Sequence, residues 1–224
     1  MKYSKPSNTS VTATMKQLLV VALAIFIVSC GEKKSDGVNL DELENREGVR
    51  YLKGSNSPYT GEFFNFHENG KREMEGNFKD GKLEGLITIW HENGQKAQEA
   101  EWKDGKRKGL STIWYDSGQK AQEKTSKEGQ VNGLVLQWYE SGQKKMEGNF
   151  KDGKEEGLFT SWHDNGKKKN KGNFKDGKKE GLVTTWRYNG QKESEENFKD
   201  GRLTFSKYWN SKGEEVDSYE EAEQ

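Results

Sequence analysis

Polar and apolar positions recur every 24 residues from residue 61 to residue 204 without insertion, with glycine at Gly61, Gly85, Gly109, Gly133, Gly157 and Gly181. Each unit reads G-L-x-T-x-W-H-x-N-G-Q-K-x-x-E-x-N-F-K-D-G-K-x-x, as in GLFTSWHDNGKKKNKGNFKDGKKE from Gly157 to Glu180. Within a unit, two runs of strand-forming residues are separated by two glycine-closed turns, and no 3.6-residue apolar period is present. Six such units in register predict an all-β chain: an elongated, twisted, single-layered antiparallel meander of 24-residue hairpins, with solenoid character.

Two readings of the turns are open. If Asn93-Gly94 forms a two-residue hairpin turn, Trp90 and Trp102 fall on opposite faces. If Glu92-Asn93-Gly94 and Lys103-Asp104-Gly105 are three-residue loops, each a type I turn closed by left-handed glycine, the flanking residues pair directly and Leu86, Thr88, Trp90, Ala100 and Trp102 share one face. The second reading gathers the recurrent apolar positions and is the one expected, because glycine ends every turn.

On that pairing a tryptophan column runs through Trp90, Trp114, Trp138, Trp162 and Trp186, with Phe66 at one end and Trp209 near the other. Equivalent residues lie two strands apart, roughly 9–10 Å. A second column holds Phe78, Trp102, Phe150, Phe174 and Phe198, interrupted by Ser126. Arg72, Lys96, Lys120, Lys144, Lys168 and Lys192 lie across from the first column, where their stems cover aromatic rings. Both columns are expected to pack a twisted sheet, and they are the candidate binding face.

The start of the chain carries a different signal. Leu18 to Val28 is an apolar run of eleven after Lys16, followed by Ser29, Cys30 and Gly31, which is too short to span a bilayer and has signal-peptide anatomy. Ile27-Val28-Ser29 before Cys30 resembles the bacterial lipobox, where the cysteine is acylated and the chain is cut ahead of it. Cys30 is the single cysteine of 224 residues, so an internal disulfide is excluded. Met15-Lys16 opens a compact signal by itself, making Met15 an alternative start. The expected organisation is a lipoprotein signal peptide at 1–30, a polar tether at 31–48, the repeat domain at 49–213 and an acidic tail at 214–224. The expected location is the bacterial cell envelope, on the outer membrane or facing the periplasm.

Charge narrows the partners. Three of the 37 basic residues lie within 1–30, leaving 34 against 37 acids, a net charge of about −3 that argues against nucleic acid. Lysines alternate with acids in almost every unit, the pattern of a solvated face of mixed charge. The apolar content of 29% serves a one-sided sheet and not a two-layer core.

The strings MEGNFKDGKLEG (Met74 to Gly85) and MEGNFKDGKEEG (Met146 to Gly157) resemble the bacterial variant of the MORN repeat, and YLKGSNSPYTG (Tyr51 to Gly61) is similar to that family's lead-in segment. The resemblance spans Tyr51 to Gly213 and implies an elongated, grooved β-sheet. It also implies non-enzymatic scaffolding or antitoxin-like roles of the YwqK type, with no catalytic residues to carry over. The third unit departs from the pattern: KTSKEGQVNG stands where GNFKDGKxxG is usual, with Ser126, Glu128 and Gln130 replacing Phe, Asp and Lys.

Chemistry finds no foothold in this pattern. His67, His91 and His163 share one repeat position with Tyr115, Tyr139 and Arg187, and a slot that accepts arginine is not a metal-ligand slot. Glu75, Glu99, Glu123, Glu147 and Glu195, with Lys171 once, are expected as solvated cross-strand partners of lysine. No nucleophile is paired with a base, no phosphate loop precedes a helix, and no cofactor is expected. The expected role is a lipid-anchored, non-enzymatic β surface that binds an envelope protein. The alternative, from another class, is glycan or cell-wall binding by the regularly spaced tryptophans.

Overall fold

The computed structural model describes residues 37–223, so the expected signal peptide and Cys30 lie outside the described residues. A short N-terminal segment supplies β1 (Val38–Asn39), a 3-10 turn at Leu40–Glu42, β2 (Leu43–Arg46) and β3 (Val49–Leu52). The repeats then supply β4 (Gly61–Phe66), β5 (Arg72–Lys79), β6 (Lys82–Trp90), β7 (Lys96–Lys103), β8 (Lys106–Trp114), β9 (Lys120–Lys127) and β10 (Gln130–Trp138). They continue through β11 (Lys144–Lys151), β12 (Lys154–Trp162), β13 (Lys168–Lys175), β14 (Lys178–Trp186), β15 (Lys192–Lys199) and β16 (Arg202–Trp209). The chain closes with β17 (Glu215–Val216) and a one-turn helix, α1 (Tyr219–Ala222).

From β4 to β17 the strands pair in chain order, antiparallel throughout, and β1 joins β4 in parallel at the near edge, giving one open 15-stranded sheet. The separate pair β2–β3 forms a small ribbon. The all-β meander expected from the repeat is therefore present. The expected tether is not wholly one: from Val38 it enters the fold, and Leu43 is buried against Phe63, Phe78 and Ile87, with Val38 and Leu40 packed alongside. The acidic tail is likewise docked. Arg187 donates from Nη2 to the Ala222 carbonyl at 2.7 Å and to the Trp209 carbonyl at 2.9 Å, and Ala222 is buried.

The two turns of each unit differ. At the N-G side the three-residue loop is present: Tyr139 N–H donates to Gln143 O at 2.8 Å and Gly142 N–H to Tyr139 O at 2.8 Å, with Gly142 at φ 82°. At the D-G side the three-residue expectation fails. Lys151 pairs directly with Lys154, leaving Asp152 (φ 49°) and Gly153 (φ 80°) as a two-residue turn with both central residues left-handed. That conformation matches the right-handed twist of the flanking strands, and Asp-Gly is among the pairs that favour it.

Each hairpin also contains irregularities absent from the simple pairing. Trp138 pairs with Lys144, but Gln137 pairs with Met146, so Lys145 is an extra bulged residue. Between β11 and β12 the register moves by two, with Glu156, Gly157 and Leu158 opposite Asn149 alone. Gly157, one of the repeat-marking glycines, is thus a bulge residue at φ 81°.

The one-residue bulge overturns the expected sharing of a face. Ile87 pairs with Ala100, and Thr88 pairs with Glu99, so Leu86, Thr88 and Trp90 lie on one face while Ile87, Ile89, Ala100 and Trp102 lie on the other. The two aromatic columns are therefore on opposite sides of the sheet. The side carrying Phe78, Trp102, Phe150, Phe174 and Phe198 is here the apolar face. The side carrying Trp90, Trp114, Trp138, Trp162 and Trp186 is the tryptophan face.

In one row across the apolar face, large residues on even-numbered strands (Phe63, Ile87, Val135, Phe159, Val183) alternate with small ones on the strands between them (Gly76, Ala100, Gly148, Gly172), the third unit's Ser111 and Lys124 excepted. A Cβ added at Gly148 would overlap the Phe159 ring, and one at Gly172 would lie 2.7 Å from Val183 Cγ2. Glycine at these positions is the room into which the neighbouring side chain packs.

Candidate functional site

The tryptophan face is built of three parallel columns. In the first, the bulge places each lysine between successive tryptophans. Lys144 pairs with Trp138, and its Nζ lies 5.3 Å from the centroid of the Trp162 ring. Lys168 over Trp186 (5.8 Å) and Lys192 over Trp209 (4.7 Å) continue the alternation, and at the far end Arg72 stands over Phe66 at 5.2 Å. The tryptophans are half-buried, and a lysine ammonium stands over the rings of Trp162, Trp186 and Trp209.

The same lysines bind glutamate, though not across the sheet as expected. Lys96–Glu99, Lys120–Glu123, Lys144–Glu147 and Lys192–Glu195 are pairs within one strand, at 2.5, 2.5, 2.7 and 2.5 Å. Residues three apart on a regular strand point to opposite sides; the bulged residue between them returns both to one face. Across the sheet these glutamates instead face Thr88, Thr112 and Thr160, which form a buried second column. Such exposed pairs contribute little stability individually.

The third column was missed in the sequence. Leu86, Leu110, Leu134, Leu158 and Leu182 are 45–57% exposed, one in each unit from the second to the sixth, opposite Glu101, Thr125, Asn149, Asn173 and Asn197. The signal was legible: leucine follows the repeat glycine five times. Without the bulge, the same leucines share a face with Ala100 and Trp102, which hides the stripe.

A fourth row runs beside the N-G loops and explains the mixed histidine slot. His67 Nε2 lies 2.9 Å from the Trp90 carbonyl, His91 Nε2 3.0 Å from that of Trp114, and His163 Nε2 2.9 Å from that of Trp186. Tyr115 and Tyr139 donate their hydroxyls to the Trp138 and Trp162 carbonyls at 2.7 and 2.8 Å. Arg187 serves Trp209 in the same way. A long side chain ending in a hydrogen-bonding group suffices, so histidine, tyrosine and arginine interchange. Burial raises the Tyr139 phenol above its usual range, which keeps it a donor. Beside this row an open cavity of about 720 Å³ is lined by His67, Glu73, Trp90, His91 and Asp116. Among the described residues, no group of three metal-ligating side chains converges.

The structure thus does not bring the two predicted aromatic columns together. Phe78 is buried under the N-terminal segment, and Phe150, Phe174 and Phe198 are half-buried on the apolar face. The third unit keeps the strand order and the bulges in spite of its altered sequence.

Five segments match the MORN repeat variant: residues 59–80, 83–104, 131–152, 155–176 and 179–200. The chain therefore carries tandem MORN repeats, which are in general non-catalytic binding repeats. The stretch between residues 104 and 131, the aberrant third unit, is outside the matches. Comparison with curated proteins yields no match.

Proposed function

We propose that these tandem MORN repeats present the tryptophan face as a docking surface for a protein partner, held at the cell envelope by a lipid on Cys30. The observation that carries the proposal is the row of five exposed leucines beside the tryptophan–lysine column. Leucines about half exposed at equal intervals form an apolar stripe with no cover among the described residues, and the flanking Lys–Glu pairs form a polar rim. Equivalent leucines are spaced by about 9–10 Å, which suits an extended partner read unit by unit.

The anchor rests on the apolar run Leu18 to Val28, the lipobox-like Ile27-Val28-Ser29 and the single cysteine. An immunity or antitoxin-like role follows from the family resemblance; an anchored chain of this kind would meet only a toxin acting outside the cytoplasm. Glycan stacking requires a free ring face, whereas Lys144 and Lys168 stand over Trp162 and Trp186 of the column and Lys192 over Trp209 beyond it. That occupancy favours a protein partner.

The test is crosslinking and affinity capture of the full-length chain from its native envelope, beside Cys30→Ser, Leu134→Ser/Leu158→Ser and a Trp138/Trp162 double replacement. One stoichiometric protein, lost with the leucine pair while the variant remains folded, is the expected result. Unchanged capture by that folded variant would sink the surface assignment. Retention only on peptidoglycan would replace it with the glycan reading.

A further inference from the structure

The third unit alters the apolar face at three neighbouring positions, and Arg107, at the end of the second unit, adjoins them. Where other units place Phe63, Ile87, Val135, Phe159 or Val183, it has Ser111; where they place Phe78, Trp102, Phe150, Phe174 or Phe198, it has Ser126. Lys124 stands at the position of Gly76, Ala100, Gly148, Gly172 and, in the last unit, Glu196; Arg107 stands at that of Leu83, Val131 and Leu203, which later units also fill with Glu155 and Lys179, so it is the side-by-side pair of cations that is peculiar to this place. The register places them together on one side of the sheet: Ser111 pairs with Lys124, Val135 with Lys124, Gly109 with Ser126, and Trp102 with Arg107.

Both cations are half-buried, and among the described residues neither has a carboxylate within ion-pair distance. Burial first, and then the like charge of Arg107, pulls the Lys124 ammonium below the usual lysine range. The Arg107 guanidinium lies 5.3 Å from the Trp102 ring centroid. Trp102 is also the last residue packed against the core beneath the N-terminal segment, so the cations begin where that cover ends. Arg107 also lines a cavity of about 410 Å³ with Lys103, Lys106, Lys108, Asp104 and Glu128, in which Lys103 and Lys106 have Glu84 and Glu128 as ion-pair partners. Two adjacent, partly desolvated cations without a counter-charge destabilise the bare face, and an anion received between them relieves that cost.

We propose that Arg107 and Lys124, beside the small, buried Ser111 and Ser126, form a carboxylate-binding site for an acidic peptide segment laid across the middle of the apolar face. Trp102 on one side and Val131 and Val135 on the other supply apolar walls for the residues flanking the carboxylate. The half-burial of Lys124 favours a peptide side chain that reaches into the face over a flat anionic bilayer, which meets projecting lysines more readily. The site is on the opposite side of the sheet from the leucine stripe and is independent of it.

The experiment is calorimetric titration of the detergent-solubilised full-length chain with hexaglutamate. Its variant is Arg107→Leu/Lys124→Gly, which restores residues that other units carry, and its control is Lys179→Leu at the Arg107 position of a later unit. The expected result is binding by the parent and the control, weakened at least about tenfold in the double variant, the loss that removal of charge-assisted hydrogen bonds brings. Circular dichroism should show the double variant melting no earlier than the parent. If it melts early, Lys124→Ala, matching Ala100, carries the same comparison. No binding by the parent, or equal binding by the variant, overturns the site. Equal variant-sensitive binding of inorganic phosphate, or of phosphatidylserine vesicles, overturns the peptide assignment. None of these results touches the leucine-stripe capture, which is read without the peptide.

Discussion

Phe63 and Phe159 occupy the same repeat position on the same face, yet Phe63 is 2% exposed and Phe159 remains half-buried. The difference lies above them. Over Phe63 the segment Val38 to Leu52 folds across the sheet and contributes Leu43 to a closed cluster with Phe78 and Ile87; over Phe159 nothing among the described residues plays that part. The repeat builds a face on which neighbouring side chains bury the smaller Val135 and Val183 but leave the large Phe159 ring half-covered, because a single sheet has only its own side chains to put over its surface. The first unit has a small core of its own, and the later units draw their order from strand pairing, from glycines that admit a neighbour's side chain and from the rows that link one unit to the next.

The comparison breaks most easily at the phenylalanines themselves. Phe63→Ala should cost about 3–5 kcal/mol in denaturant unfolding, the usual range for emptying a buried aromatic site, and Phe159→Ala well under half of that. Equal costs would mean that cover over the later units has been overlooked. The glycines sharpen the contrast. At Gly76 an added side chain meets Ile87 and Phe63, both in the covered cluster, so Gly76→Val should cost about 1–3 kcal/mol. Gly148→Val should cost less, since Phe159 can swing toward solvent; a larger loss at Gly148 would contradict the open description of that region.

Smaller effects are expected where cover is irrelevant. Tyr115→Phe and Tyr139→Phe each remove one hydroxyl hydrogen bond to a tryptophan carbonyl in the next unit, and both should lower stability by about 0.5–1.5 kcal/mol. Distinctly unequal losses would show that the row is not a uniform linkage. The smallest effect is a pH dependence. The Asp104 backbone N–H, assisted by Lys103, holds the Glu84 carboxyl below the usual carboxylate range. The folded chain thus binds that proton less readily than the unfolded one. Its stabilising contribution is full above the ordinary carboxylate pKa and is lost as pH falls through the lowered value. Glu84→Gln should therefore melt below the parent at neutral pH and converge with it in acid; a gap that persists in acid would rule this out.

The strand order was legible because the period is exact in residue count and the turn glycines repeat with it. Register was not, since bulges leave only faint marks: Ala97 or Lys145 is an ordinary residue whose extra place in the strand is visible only against its partner. Asp-Gly carries the signal of a two-residue turn, but what separates Leu86 from Trp102 is the bulge at Ala97, visible only in the pairing, which the sequence does not display. The aromatic columns were found in the sequence and then joined incorrectly; the leucine stripe was overlooked because exposed leucine cannot be told from buried leucine until the register is known. The docked N-terminal segment was hidden by its polar composition, in which only Val38, Leu40 and Leu43 carry the packing. The third unit's oddity was plain, whereas the convergence of Arg107 and Lys124 required the pairing of β7, β8 and β9.

The sheet's edges are β1 and β17, near the two ends of the described chain, with every intervening strand hydrogen-bonded to the strands before and after it. Fourteen strand spacings separate those edges, about 65 Å measured along the sheet. Tension applied at the two ends would act across the strands and load the hairpins in series, opening first at an edge instead of shearing all at once. Such a molecule is a compliant link: it would lengthen stepwise under pull, one 24-residue hairpin at a time, while the units still paired hold their faces unchanged.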